Sequence, residues 1–412
     1  MKNPIASEIG RHLNLPTRLK NIVPLFLFSL MLPSPKHTLT FAAQVSGYAK
    51  SQFSRLLAHH RMLAHLSLIA LARAICGDIA EERNLFVLGA PWTIAIIIDA
   101  TLQKRSSKHP GNCQKFNHGK GYVIGHQWTN IILLINGVTV PLPPISFFTK
   151  KERARRNLPK ETEQDAVIRY LEGLDLHSYV GVYNVSEVVV LADSGYDNKK
   201  LQQKIVDLGW DFVVALKISR GAKSETQFED KKKSCRISEL FRTCRYAPWK
   251  TVRDHVNGWK QKKRKEFRVR ELLGFLNGVA TKVKFVLSEE RGSRKGRKFI
   301  ACSNTKVGIG AIVRAYRQRW NIELFHKDVK SYLGFEDVSC HDFESVDAHV
   351  HWVYCAYLLL PKLAPESKSI LEGKHAIRRN YENRGFRKIL ALANRFDGMA
   401  SIKTYCSEAM QA

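Results

Sequence analysis

The chain has 412 residues and carries 66 Lys and Arg against 37 Asp and Glu, a formal net charge of +29. An excess of this size predicts a polyanionic partner, most simply nucleic acid, with a ribosome-associated or membrane-surface protein as the alternative. The length favours two or three domains. The eight cysteines include no C-x2-C pair, which argues against a zinc ribbon, and we interpret them as reduced intracellular thiols.

The most apolar N-terminal segment, residues 22–32, contains Pro24 and is too short to span a membrane. It begins late and lacks a small-residue cleavage site, which argues against a signal peptide. We therefore expect a buried helix here, no membrane association, and a cytoplasmic protein.

Residues 1–85 are predicted to be helical. Ala43, followed four residues later by Gly47, fits the tight corner of a helix-turn-helix. The side chains that would then face DNA from a recognition helix are Ser51, Gln52, Ser54 and Arg55. An ordinary helical hairpin explains the pattern equally well, and both interpretations stay open.

Two apolar runs farther along the chain each end in an acid. Residues 93–98 precede Asp99, and residues 188–192 precede Asp193. Continuous β-branched runs predict buried strands of a partly parallel sheet, and open α/β sheets place their chemistry at the carboxyl ends of such strands. Taken alone, an acid in this position is more often a helix cap or a turn former.

The pattern between and after these acids predicts the order of elements. Residues 121–137 are predicted to form two strands, with Asn136-Gly137 as a hairpin turn, and residues 138–144 to run on at an edge. An amphipathic helix is expected over residues 165–174. A turn, a helix over residues 199–208 and a strand over residues 211–217 follow Asp193.

Residues 216–300 hold 25 Lys and Arg against 9 Asp and Glu, a net charge of +16. Alternating polarity at residues 267–270 and 281–287 predicts half-exposed strands, so we predict a small β-rich domain that lays cations along DNA. A disordered basic loop is the alternative. The cations assigned to DNA are Lys262, Lys263, Arg264, Lys265, Arg294, Lys295, Arg297 and Lys298.

A single helix is predicted over residues 316–330. One face of it, spanning about 60°, carries a carboxylate bracketed by cations and a phenol. These residues are Tyr316, Arg319, Glu323 and Lys330. We expect metal on Glu323 and phosphate on the two cations, with Lys327 on the same face. Asp328 points about 120° away on an ideal helix, and Asp197 is the acid most easily mistaken for Asp193.

The spacing Tyr-x2-Arg-x3-Glu-x6-Lys in this helix resembles the signature of DDE transposases of bacterial insertion sequences, of the insertion-sequence-four type. Asp193-Ser-Gly-Tyr resembles the second Asp motif of that family. Asp99-Ala-Thr resembles the first, although Ala after the Asp departs from the more familiar Asp or Gly. The resemblance covers residues 92–335.

The resemblance implies an α/β fold: an RNase H-like catalytic core, interrupted by a basic β-rich insertion, with helical N- and C-terminal regions. In that fold the first acid lies on the first strand and the second on the fourth. The expected divisions are a helical DNA-binding region, the first part of the core, the insertion, the helix with the catalytic Glu, and a helical C-terminal region. Their bounds are 1–85, 90–219, 220–302, 303–336 and 337–412.

The resemblance also implies the chemistry. Asp99, Asp193 and Glu323 would hold two Mg²⁺ ions, with Mn²⁺ as a substitute. The protein would cut at transposon ends and join them to target DNA by a cut-and-paste route with a hairpin intermediate, working as a homodimer in the synaptic complex. Its partners would be the double-stranded terminal inverted repeats and the target. A flipped base could stack on Trp249 or Trp259, although either is more often a core residue.

Two other functions stay open on the sequence. A structure-specific endonuclease on the same core, such as a junction resolvase, would cut DNA without joining it. A catalytically silent DNA-binding protein derived from a transposase would keep the basic surface, although an intact acid triad argues against this.

Overall fold

A computed structural model of the chain describes residues 4–81, 92–106, 111–119, 121–180, 187–229, 233–244, 246–255, 264–290 and 296–395. The fold is mixed α/β: one large mixed sheet runs through the middle of the chain, and helices precede and follow it.

Helices occupy the N-terminal region, as predicted. They are α1 (Pro4–Arg11), α2 (Ile22–Met31), α3 (Leu39–Ser46), α4 (Lys50–His59) and α5 (Arg61–Glu81). Because α2 is apolar on nearly all sides, it is buried almost throughout its length. The expected buried helix at residues 22–32 is therefore present.

The turn between α3 and α4 forms where the sequence predicted a corner. The Thr38 side chain caps α3 by accepting from the Phe41 amide at 3.2 Å. Gly47 ends α3 with φ of 72°, a left-handed conformation that glycine adopts without a Cβ penalty. The polar residues assigned to a recognition helix are all exposed on α4: Ser51, Gln52, Ser54 and Arg55. Their contact with DNA stays a prediction.

Helix α5 is long and apolar enough, by length and composition over Arg61–Ile79, to cross a membrane, and 44% of that window is buried inside the protein. It packs against α14 (Phe343–Leu363) and α8 (His177–Val180). This packing is what we expect of a core helix with one covered face.

The first half of the sheet is built around β1. Its elements are β1 (Ile94–Lys104), β2 (Gln114–His118), β3 (Gly121–Ile135), β4 (Val138–Pro141), β5 (Ile145–Ser146), α6 (Lys150–Arg155), α7 (Glu163–Glu172), α8, β6 (Val188–Ala192), α9 (Lys199–Asp207) and β7 (Asp211–Leu216). The strand order is β2-β3-β1-β6-β7. β1 pairs antiparallel with β3 and parallel with β6, which in turn pairs parallel with β7.

Two strand predictions need correction. Residues 121–135 form one long strand, β3, and not two; the Asn136-Gly137 hairpin, with φ of 49° and 77°, then leads into β4 as predicted. β1 continues five residues beyond Asp99, which therefore lies in mid-strand. The continuously buried apolar run does end at Asp99. Residues 99–104 remain paired with β3, but their side chains are no longer all buried and alternate in burial toward the end of the strand.

The basic region continues the same sheet. Its elements are β8 (Gly221–Ser224), α10 (Glu225–Glu229), β9 (Cys235–Arg236), α11 (Ile237–Thr243), β10 (Lys250–His255), β11 (Arg264–Leu276), β12 (Lys282–Glu290) and β13 (Lys298–Cys302). Because β13 pairs antiparallel with β7, the order runs on as β7-β13-β12-β11-β8-β9, with β10 on β11. The alternating segment at 267–270 lies within β11, and all of the segment at 281–287 except its first residue lies within β12.

Helices close the described chain: α12 (Ile309–Gln318), α13 (Trp320–Tyr332), α14 and α15 (Ile370–Arg395). α14 is buried along most of its length and packs on α2, α4 and α5. The N- and C-terminal helical regions therefore share one core.

Gly334 ends α13 with φ of 72°, and a Cβ added there would lie 2.5 Å from the Cβ of His37. We expect Gly334→Ala to lower the free energy of unfolding by about 2 kcal/mol, because both the left-handed backbone and the contact oppose a side chain. Gly77→Ala is the control: it lies inside α5 with nothing within 4 Å of the new Cβ, so a gain of about 0.5 kcal/mol is expected. Denaturant unfolding measures both, and equal effects would contradict the assignment.

Candidate active site

Asp99 and Asp193 are brought together by the parallel pairing of β1 and β6. Ile98 of β1 lies opposite Ala192 of β6, so the two acids occupy the next position on neighbouring strands. Adjacent strands are about 4.8 Å apart. The second acid follows its strand as predicted, and its Oδ1 accepts from the Gly195 amide at 2.7 Å in the short 3₁₀ turn Ser194–Tyr196.

Asp99 is a partly buried carboxyl among charges. Burial, together with the negative charges of Asp193 and Glu323, raises its pKa to about 6 against the opposing effect of the nearby Arg319. Its Oδ1 accepts from the Ala100 amide at 3.0 Å. The three acids singled out in the sequence are therefore close enough for their charges to act on one another. A carboxyl whose pKa is raised by burial and by acidic neighbours, as that of Asp99 is, is typical of functional sites.

The helix predicted over residues 316–330 is two helices. α12 ends at Gln318 and α13 begins at Trp320, with Arg319 between them. The amide of Arg319 donates to the carbonyl of Tyr316, and the amide of Ile322 donates to the carbonyl of Arg319, both at 3.2 Å. These bonds span three residues, as in a 3₁₀ helix, so the backbone is more tightly wound at the junction than in an α-helix. No proline or glycine marks this junction in the sequence, so nothing there signalled it.

Arg319 contacts the acid site directly. Its guanidinium forms an ion pair with Glu323, one turn along the helix, and its side chain is only 11% exposed. It also lies 6.0 Å from the ring centroid of Tyr316, and Lys298 of β13 lies 5.3 Å from the same ring. The partner of Arg319 in the structure is Glu323, and its predicted contact with phosphate stays a prediction.

The remaining predicted cations of the motif lie farther along α13. Lys330 is partly buried, its ammonium lies 4.0 Å from the Glu336 carboxylate, and burial lowers its pKa. Lys327 is exposed. Asp328 is partly buried, and burial raises its pKa to about 6.

Asp197, the acid most easily mistaken for Asp193, has structural partners. It is buried, and its carboxylate accepts from the Lys217 amide at 2.9 Å and from Gln202 Nε2 at 3.1 Å. Arg220 lies 3.4 Å from it. Its charge is therefore used within the fold.

Part of the predicted DNA surface is described. Arg297 pairs with Glu289, at 2.5 Å from Nη2, and Lys298 is exposed at the start of β13. Residues 262, 263, 294 and 295 lie outside the described residues, as do the side chains of Arg264 and Lys265. Their assignment to DNA is unchanged as a prediction.

The aromatic candidates differ in position. Trp249 is 38% exposed, and the guanidinium groups of Arg268 and Arg270 lie 4.8 and 5.3 Å from its ring. Trp259 lies outside the described residues. Trp320 is not among the predicted aromatic candidates, although it is 57% exposed and lies three residues before Glu323; the Arg-Trp pair inside the motif was the available signal.

A fourth acid near the site was also overlooked. Glu163, at the start of α7, accepts from the hydroxyls of Thr129 and Tyr196 at 2.7 Å each and from Gln127 Nε2 at 3.0 Å. Because Tyr196 belongs to the turn after Asp193, Glu163 ties that turn to β3. The sequence marks the start of α7 through the Thr162 capping box, but not this contact.

Within the described parts of the chain, no group of three or more His, Cys, Asp or Glu residues has an arrangement that could hold a metal ion. One of the three predicted metal ligands, Glu323, forms an ion pair with Arg319.

A family model described as Transposase DDE domain matches residues 93–359. This range contains Asp99, Asp193 and Glu323 and the helices α12 and α13. The chain belongs to this family and is a transposase of the DDE class. No curated protein matches the chain.

The different partners of Asp193 and Asp197 predict that removing the charge lowers the free energy of unfolding much more at Asp197 than at Asp193. Asp197→Asn should lower the free energy of unfolding by about 2 kcal/mol, because buried donors from three residues lose a charged acceptor. Asp193→Asn, the control four residues away, should change it by less than about 0.5 kcal/mol, since it is half-buried and keeps an oxygen for the Gly195 amide. Thermal and denaturant unfolding compare them; a larger loss at Asp193 would contradict this division.

Proposed function

We propose that the protein is a cut-and-paste DNA transposase of the insertion-sequence-four type. It would bind transposon ends, cleave them in a metal-dependent reaction and transfer them to target DNA through a hairpin intermediate. The observation that carries this proposal is that Asp193 and Glu323 lie near enough to Asp99 for their charges to raise its pKa, in addition to burial, with Arg319 paired to Glu323.

The strand order supports an RNase H-like core. β1 stands between antiparallel β3 and parallel β6, with β7 beyond, and the first two acids lie on the adjacent central strands. In this proposal residues 220–302 form the inserted basic region, which joins the core through the pairing of β13 with β7. The other proposed divisions keep the bounds given from the sequence.

The donor chemistry at the site fits divalent cations. Three carboxylates supply the hard oxygen ligands that Mg²⁺ prefers, and a cation between them would relieve the repulsion that raises the pKa of Asp99. We propose that these residues hold two Mg²⁺ ions, for which Mn²⁺ can substitute. When bound, such ions activate a water or 3′-hydroxyl and stabilise the leaving oxygen of an in-line displacement at phosphorus.

The side chains around the acids would position the DNA strand. Arg319 carries a positive charge into the site and holds Glu323 while DNA is absent. With DNA bound, a backbone phosphate would take over the guanidinium, since charge-assisted contacts to phosphate are strong. Neighbouring phosphates would be contacted by Tyr316 of α12, by Lys298 beside its ring, and by Lys327 and Lys330 of α13.

The rest of the protein would supply affinity and assembly. The charge of the 220–302 region favours backbone binding along double-stranded DNA. The exposed polar face of α4 would contact the terminal repeats, and Trp249 would hold a flipped base. We further propose a homodimer in the synaptic complex and a cytoplasmic location.

A structure-specific endonuclease is the second candidate, because the same acids would serve it. Incubation with end-labelled transposon DNA and a supercoiled target separates the two, since only a transposase yields a strand-transfer product. Cleavage without that product would support the endonuclease. A protein that binds the ends but does neither would be a silent DNA-binding derivative.

The acid triad can be tested residue by residue. Asp99→Ala, Asp193→Ala and Glu323→Ala should each abolish Mg²⁺-dependent cleavage and leave DNA affinity within about threefold of wild type, because cations carry the affinity. Asp328→Ala, on the same helix as Glu323, is the control and should cleave normally. Normal cleavage by any one of the triad variants would remove that residue from the site.

Arg319 and Glu323 should fail at different steps. Arg319→Ala should still bind Mn²⁺ in calorimetric titrations but slow single-turnover cleavage of a pre-nicked end on the order of 100-fold, by misplacing the strand. Lys330→Ala should behave in the same way. Glu323→Gln should lose metal-dependent activity at every step.

Arg317→Ala is the matched control for Arg319. Its guanidinium lies 5.3 Å from the ring centroid of Phe267 on β11, so cleavage should stay near wild type. If Arg319→Ala and Glu323→Gln show the same metal dependence and stop at the same step, the two roles assigned here are wrong.

The basic region should bind DNA with little regard to sequence. Replacing Lys262, Lys263, Arg264 and Lys265 with Gln should weaken binding of specific and random duplexes alike and make the salt dependence shallower by about 0.9 for each lost phosphate contact. Exchanging Lys and Arg at the same four positions keeps the charge and is the control. Affinity that does not change between low and physiological salt would show another use for this region.

A further inference from the structure

A buried polar chain connects three distant elements beside the acid site. Asn130 of β3 lies opposite Asp99 of β1, so the two side chains are on the same face of the sheet. The Asn130 amide group donates to His326 Nε2 at 2.9 Å, and its oxygen accepts from the Tyr354 hydroxyl at 2.5 Å. All three residues are at most 9% exposed.

The contacts require one arrangement of protons. Since Asn130 donates to Nε2, the His326 ring is neutral and carries its proton on Nδ1. Burial, together with the positive charges of Lys330 and Arg319, lowers the pKa of His326 to about 3, which agrees with a neutral ring. Tyr354 holds the Asn130 side chain from the other side. Buried polar groups with defined partners select one geometry more strictly than apolar contact does.

His326 lies three residues after Glu323 on α13, so the ring and the acid are on neighbouring parts of the same helix surface. Fixing the ring against Asn130 therefore fixes the rotation and height of α13, the helix that carries Glu323, relative to β3 and its neighbour β1. A second set of contacts holds the chain just beyond α13, where Gln103 donates to the Phe335 carbonyl at 2.5 Å.

We propose that Asn130, His326 and Tyr354 are positioning residues that set the position of α13, and with it Glu323, relative to Asp99 and thereby adapt the site to Mg²⁺. The inference rests on the proposed function. Mg²⁺ demands near-ideal octahedral geometry at about 2.0–2.1 Å, whereas larger cations tolerate less regular sites. Loosening this network should therefore weaken Mg²⁺ more than Mn²⁺.

Tyr354→Phe tests the proposal with the removal of one hydroxyl. The ring also packs 4.9 Å from Phe325 and 6.3 Å from Phe335, contacts that phenylalanine keeps. Tyr357→Phe is the matched control: Tyr357 lies one turn on in α14, its ring is 5.0 Å from Phe325, and Asn130 is not its partner.

Two readouts on the full-length protein are needed. Calorimetric titration without DNA should show Mg²⁺ binding about tenfold weaker in Tyr354→Phe, and Mn²⁺ binding weakened about threefold or less. Single-turnover cleavage should need about tenfold more Mg²⁺ for half-maximal rate, with recovery in Mn²⁺. Tyr357→Phe should match wild type in both.

A second pair of variants distinguishes a loss of positioning from a general loss of stability. His326→Leu removes the acceptor and should reproduce or exceed the effect of Tyr354→Phe, whereas His326→Gln offers an oxygen to Asn130 and should restore most of the Mg²⁺ response. If the variants unfold more easily but bind and use Mg²⁺ as wild type does, the proposal is wrong.

The same experiment separates the proposal from the function beneath it. Wild-type protein that neither binds divalent cations nor cleaves transposon ends would overturn the proposed function, and the positioning role with it. Active wild-type protein with an unaltered Tyr354→Phe, or with equal losses in Mg²⁺ and Mn²⁺, would overturn the positioning role alone.

Discussion

The pairing of β1 with a strand on each side is the constraint on which the site depends. Its apolar half is buried between β3 and β6, and this burial fixes the register of both neighbours. The parallel neighbour then presents Asp193 beside Asp99, while the antiparallel neighbour presents Asn130, which contacts α13. A slip of one residue in the β1–β6 pairing would turn one acid to the opposite face of the sheet, and a slip in the β1–β3 pairing would turn Asn130 away from Asp99.

Gathering these acids opposes stability. The raised pKa of Asp99 means that its ionised form is less favourable in the folded chain than in water, and its acidic neighbours contribute to that penalty. Arg319 offsets part of it through its pair with Glu323. Such a site persists because the surrounding sheet and α14 are deeply buried and apolar, which leaves enough stability to hold like charges together.

Much of this could be predicted from local patterns. The apolar runs before Asp99 and Asp193, the Asn136-Gly137 turn and the corner at Gly47 each show in a few consecutive residues. The extension of β1 past Asp99 could not be predicted, because pairing with β3 decides it, nor could the break at Arg319. The contact of Asn130 with Tyr354 joins residues 224 positions apart, and the spacing of residues in the sequence does not predict such a long-range contact.

The shared core of the terminal regions limits how such a protein can change. α14, which follows the helix that carries Glu323, is covered by α2, α4 and α5, so the exposed polar face of α4 belongs to a helix that also packs into the shared core. Exchanging the first 85 residues for those of a distant relative would leave α14 facing mismatched side chains. If α4 contacts the transposon ends as proposed, new end specificity is therefore more accessible through substitutions on the outer surface of α4 than through exchange of the whole N-terminal region.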